Sequence, residues 1–102
     1  LGRETTWGGA VATKRERAYM DRVAGLGCIV CRNSGFGEAP ALIHHIREGQ
    51  GGAQRAPNWL VLPLCPEHHD GKDSIHKDRQ GFQARYGSEL DLLAQTISEV
   101  WK

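Results

Sequence analysis

Apolar positions along the chain come in short islands separated by polar and glycine-rich stretches. Lys14–Ala24 carries Tyr19, Met20 and Val23 at helical spacing. Thr13 with Glu16 three positions on forms a capping box before it, and Gly25 or Gly27 stops it. After the island Leu26, Cys28, Ile29 and Val30, residues 32–40 read as loop. Two short strands are predicted, Ala41–Ile46 and Trp59–Leu64. The connection Arg47–Pro57 is too polar and glycine-rich to pack as a helix, so the strands pair antiparallel. Pro66 suits the first turn of a helix over 66–70, and Gly71–Ser74 reads as an interruption. Helices follow at 78–86 and 89–101, the last capped by Ser88 and apolar at Leu90, Leu93, Ile97 and Val100. Residues 1–12 have no period and read as a flexible arm before one domain, 13–102. The mixture predicts an α+β fold.

A chain of 102 residues buries only about 60–68% of its unfolded surface, so its core is thin and a staple is expected. The candidates are three cysteines and five histidines. An odd cysteine count argues against a closed disulfide framework. A redox Cys-x-x-Cys would want a strand before it and a helix after it, whereas Asn33-Ser34-Gly35-Phe36-Gly37 reads as loop. No signal peptide, lipidation motif or apolar stretch near membrane-spanning length is visible, so a reducing, cytoplasmic setting is expected. Because the chain opens on Leu1, a fragment or a tag remnant is expected there. Net charge is +1, which neither demands nor excludes a polyanionic partner. Lys14, Arg15, Arg17 and Arg22 make one helix face basic, a solvated face or a DNA-facing one. Trp7, Trp59 and Trp101 are expected to pack rather than to stack on bases.

The chemistry lies in the spacing of the ligand-type residues. Cys28-x-x-Cys31 is followed, after 33 intervening residues, by Cys65-x-x-His68. Two such knuckles supply the four ligands of one tetrahedral structural Zn²⁺. Four histidines remain: His44, His45, His69 and His76. With Asn58 at the entry to the second strand, they fall in the order strand, strand, helix around one divalent ion, a ββα-metal pattern. His69 directly follows the zinc ligand His68, so one helical turn would hold both metal sites. Alternation along a strand sets His44 and His45 on opposite faces, so either the strand twists there or one of the pair is a bystander.

Ile43-His44-His45-Ile46, Pro63-Leu64-Cys65-Pro66-Glu67-His68-His69 and Ser74-Ile75-His76 resemble the motifs of HNH endonucleases. The run from Gly27-Cys28-Ile29-Val30-Cys31 to Tyr86-Gly87-Ser88-Glu89-Leu90 resembles, more narrowly, the phage recombination-enhancement (Ref) family of RecA-dependent nucleases, over roughly residues 14–101. That family's best-known form has a long basic N-terminal arm; residues 1–12 here hold one basic residue, Arg3. The resemblance implies a metal-dependent DNA endonuclease of phage or prophage origin, acting in the bacterial host cytoplasm with a RecA-type filament as partner. It implies His45 as general base and Asn58 as the acceptor that fixes its tautomer, with His44, His69 and His76 holding the ion. An all-histidine set favours Zn²⁺, Ni²⁺ or Co²⁺ over Mg²⁺, so water or phosphate would complete the shell if Mg²⁺ or Mn²⁺ is the working ion. Arg47 and Arg55 bracket the glycine-rich loop and could clamp DNA phosphates, although solvated loop arginines are common. The alternatives are a non-catalytic zinc module that binds DNA or protein, and a zinc hydrolase acting on a small substrate.

Overall fold

Two short paired strands form the spine of the molecule. The computed structural model describes residues 6, 7, 10–52 and 54–102. Strand β3 (Leu42–His45) pairs antiparallel with β4 (Val61–Leu64), in the register Leu42 to Leu64 and His45 to Val61. All four residues of β4 are buried, because it is covered on both faces. Val61 joins Ala12, Met20, Val23 and Val100 on one side. Leu62 and Leu64 join Ile29, Val30, Phe82, Leu92 and Leu93 on the other. Both strands are shorter than their patterns predict. Pro57 and Asn58 open a turn closed by Leu60 N–H donating to the Pro57 carbonyl at 3.0 Å, which delays β4 to Val61.

Upstream, β1 (Thr6–Trp7) pairs antiparallel with β2 (Ala10–Val11), regular structure where none is predicted. The Trp7 side chain, which is expected to pack, lies outside the described part of the structure. Helix α1 (Lys14–Gly25) begins on the predicted capping box, with both Thr13 and Glu16 side chains bonded back to the backbone. The basic face of α1 is partly spent on the fold itself. Arg22 donates to the Val100 carbonyl at 2.7 Å and Arg17 to the Ala12 carbonyl at 2.8 Å.

Three further expectations are corrected. The segment after Cys28 is a helix, α2 (Ile29–Ser34), capped by Cys28, whose Sγ accepts from Cys31 N–H, and closed by Gly35 at φ 75°. The left-handed conformation there is one that glycine adopts without strain. The final helix α5 (Glu89–Val100) buries Glu89, Leu92, Leu93, Thr96 and Val100. Leu90 and Ile97 are exposed instead. Its inward stripe follows i, i+3, i+4, i+7, i+11 spacing, and two of its members are polar, so an apolar-only reading rotates the helix. Third, Trp59 and Trp101 are exposed at 43% and 72%. They lie against Tyr19 and beneath the Arg22 guanidinium, respectively. Among the described residues, no helix is long and apolar enough to cross a membrane.

Candidate metal centres

Beyond β4 the chain turns at Pro66 into a four-residue helix, α3 (Pro66–His69), and this turn sets two ligand clusters back to back. On the inner side, Cys28, Cys31, Cys65 and His68 are all buried, and their ligand atoms lie within 4.8 Å of one another. A tetrahedral Zn²⁺ with its usual bond lengths separates two sulfurs by about 3.8 Å, and a sulfur and a nitrogen by about 3.5 Å. Cys31 and Cys65 sulfurs are 3.8 Å apart, and His68 Nδ1 lies 3.7, 3.6 and 3.2 Å from the sulfurs of Cys28, Cys31 and Cys65. Burial, then the neighbouring sulfurs of Cys28 and Cys65, pushes the Cys31 thiol up to about 12. A cation shared among the sulfurs would offset that penalty. The donor set therefore fits a metal ion such as zinc.

A carboxylate backs this cluster that sequence reasoning did not single out. Asp73 Oδ2 lies 3.7 Å from His68 Nε2, and Asp73 also receives Arg85 at 2.6 Å and the Tyr86 hydroxyl. These bonds, the Tyr86 hydroxyl foremost, hold its carboxyl below the usual carboxylate range.

The outer cluster gathers His44, His69 and His76, with ligand atoms again within 4.8 Å of one another. Their ring centroids are 4.6–5.4 Å apart. His69 Nε2 and His76 Nε2 are 3.2 Å apart, close to the separation of two nitrogens on one ion at about 2.0–2.1 Å each. His69 Nδ1 is buried with no hydrogen-bond partner among the described residues. Burial first, then the neighbouring rings, lowers the pKa of both His69 and His76, which keeps them neutral and their lone pairs available. His76 does not sit on a helix, contrary to expectation. It lies in the turn between α3 and α4 (Arg79–Tyr86). The turn folds back because Ile75 and His76 N–H groups donate to the His68 and His69 carbonyls at 3.0 and 3.4 Å. Gly71 permits this reversal. A Cβ there would come within 2.8 Å of the Glu67 backbone.

The strand alternation at His44 and His45 resolves into a division of labour. His44 turns toward His69 and His76, while His45 Nε2 meets Asn58 Oδ1 at 2.8 Å. Asn58 also helps to hold the nearby Glu16 carboxyl below its usual range. An amide oxygen only accepts, and it is Oδ1 of Asn58 that faces His45. The His45 proton therefore resides on Nε2, leaving Nδ1 as the basic nitrogen. Burial lowers the His45 pKa, with Arg55 and His44 acting in the same direction and the Asn58 bond opposing. Both histidines line one cleft of about 410 Å³, together with Ile43, Arg47, Gln54, Arg55, His69 and His76. Arg47 and Arg55, the loop cations singled out in the sequence, thus reach the same opening.

A second residue missing from the sequence reading is Glu89, only 3% exposed. It accepts from His44 Nε2 at 2.7 Å, from the backbone N–H groups of Arg47 and Glu48 at 2.9 and 2.7 Å, and from Arg79 at 2.9 Å. Burial pushes its carboxyl up, but these bonds win and hold it at about 2. Its signal in the sequence was a carboxylate on the inward stripe of α5.

A stretch of 55 residues, 53% of this chain, is 42% identical to the uncharacterized protein YdfU of Escherichia coli (strain K12). The match spans 15% of that relative's length. The pattern of the family described as recombination enhancement, RecA-dependent nuclease matches residues 12–100, nearly the whole chain and every residue of both clusters. The chain belongs to the recombination enhancement, RecA-dependent nuclease family.

Proposed function

We propose that this chain is a DNA endonuclease of the HNH type, in which β3, β4 and α3 form a ββα-metal core stapled by a structural zinc on Cys28, Cys31, Cys65 and His68. The observation that carries the reading is the meeting in one cleft of a three-histidine cluster with a histidine oriented by an amide, His45 Nε2 to Asn58 Oδ1 at 2.8 Å. A non-catalytic zinc module has no use for that oriented pair.

In this reading His45 Nδ1 takes the proton of the attacking water. Asn58 holds the ring by its other nitrogen. The new water oxygen–phosphorus bond forms as the bond from phosphorus to the 3′ oxygen breaks, leaving a 5′ phosphate and a 3′ hydroxyl. His44, His69 and His76 hold a divalent ion, which supplies Lewis-acid stabilisation of charge on the phosphate and on the departing oxygen. Arg47 and Arg55, at the rim of the cleft, pair with neighbouring phosphates. The family description supports dependence on a RecA filament as partner.

The test is nicking of supercoiled plasmid with Mg²⁺, Mn²⁺ or EDTA, with and without a RecA filament on the DNA. Ion-dependent nicking that EDTA abolishes, and that the filament stimulates, is expected. Nicking insensitive to EDTA, or none under any condition, overturns the nuclease reading in favour of a zinc-binding module.

A further inference from the structure

Burying a carboxylate is unfavourable unless donors replace its water, and for stability alone an apolar side chain often serves as well. Glu89, 3% exposed at the start of α5, keeps its charge through four donors. How its two oxygens divide them is informative. Oε2 takes His44 Nε2 at 2.7 Å, while Oε1 takes the Arg47 and Glu48 N–H groups and the Arg79 guanidinium. A carboxylate can only accept, so His44 carries a proton on Nε2, and a ring protonated there alone has its lone pair on Nδ1. The rings of His69 and His76 stand edge-on to that ring at 5.4 and 5.2 Å.

We infer that Glu89 is the positioning residue of the three-histidine centre. It fixes His44 in the Nε2–H form, with Nδ1 presented to the ion, and anchors the loop beginning at Arg47 to that same ligand. The inference rests on the metal-site reading proposed above and assigns it a second layer. A carboxylate behind a ligating imidazole sets the ring's tautomer and orientation and raises its basicity. Here the other oxygen of the same carboxylate also ties down the backbone of Arg47, whose side chain lines the cleft. One buried side chain thus holds in common register a metal ligand on β3 and an arginine on the loop that follows. Arg79 reaches the carboxylate at Oε1, the oxygen that does not face His44, from a side chain 48% exposed.

The experiment uses the full chain with zinc retained on its cysteines. Co²⁺ titration followed by d–d absorption gives the affinity of the three-histidine centre, and ¹⁵N-edited NMR of the His44 ring reads its tautomer before Co²⁺ is added. In the parent, His44 is expected as the Nε2–H tautomer. Glu89→Gln is expected to mix the two tautomers and to weaken Co²⁺ binding roughly 10–100-fold, with one zinc equivalent kept. Arg79→Ala, the control for a merely structural role, should lower the melting temperature and leave tautomer and affinity in place. If Glu89→Gln fails to fold, the parent tautomer decides: a proton on His44 Nδ1 overturns the inference. Unchanged Co²⁺ affinity in a folded Glu89→Gln protein overturns it too. If the parent itself takes up no second metal, the three-histidine reading fails first and this inference falls with it.

Discussion

If Asn58 acts only by orienting His45, removing Asn58 should matter only while His45 is present. The perturbation is Asn58→Ala, alone and combined with His45→Ala. In the parent, the His45 Nε2–H is buried against Asn58 Oδ1 at 2.8 Å. Taking away the acceptor leaves a buried donor unsatisfied, at about 1–3 kcal/mol. The ring escapes that cost by moving its proton to Nδ1, the nitrogen that must stay unprotonated to accept from water. Converted to rate, the loss is roughly 5- to 160-fold. His45→Ala removes the base itself and should slow cleavage by roughly 10²–10⁴-fold. The double variant should then be no slower than His45→Ala alone, because residues acting as a unit are not additive. The assay is single-turnover nicking at saturating divalent ion, with metal content and melting temperature measured on each protein. All three variants should keep both metals, since neither side chain belongs to the ligand clusters. A further loss when Asn58→Ala is added to His45→Ala would refute the argument, as would loss of the second metal from His45→Ala. In the latter case His44 and His45 have been assigned the wrong way round.

Other consequences are as direct. Cys28→Ser or Cys65→Ser should abolish the cooperative melt, because zinc binding of about 10–16 kcal/mol is folding free energy in so small a chain; chelation should do the same, and a melt near the parent's would remove zinc's structural role. Gly71→Ala forces a Cβ to within 2.8 Å of the Glu67 backbone, so the reversal that brings His76 to His69 must open. Overpacking of this kind costs about 1–3 kcal/mol, and the variant should show a lower melting temperature and weaker second-metal binding while keeping its first zinc, checked by Co²⁺ titration. His45 sits below the ordinary histidine value of 6.5, through burial first and then Arg55 and His44, and a bound divalent ion acts in the same direction. A general base works unprotonated, so kcat/KM should rise with pH along a limb centred below pH 6.5; a rising limb centred above that value would contradict the assignment.

How much of this was legible beforehand follows from the range of the interactions concerned. The paired knuckles were legible because i, i+3 spacing is local. Cys28 caps one short helix and Cys31 lies in its first turn, while Cys65 stands at the N-cap of another and His68 lies within it, so each half-site is preformed by its own turn. The capping box of α1 and the antiparallel pairing of β3 with β4 were legible for the same reason, since both depend on neighbours and loop length. Side-chain alternation likewise set His44 and His45 apart, but it could not say which would meet His69 and His76. That depended on the Gly71 turn and on the turn before β4 that brings Asn58 Oδ1 to His45. Glu89 and Asp73 were invisible to pattern because a lone carboxylate reads as surface until its donors are in place. Those of Glu89 lie 10 to 45 positions away in the chain. The orientation of α5 was misread through the same assumption. Hydrophobicity alone chose Leu90 and Ile97, whereas packing turned Glu89 and Thr96 inward, where the carboxylate meets its four donors and the Thr96 hydroxyl donates to the Leu92 carbonyl at 2.8 Å. Local spacing determined the ligands and the short elements that carry them. Tertiary packing decided which polar side chains were buried, and therefore which groups orient the ligands.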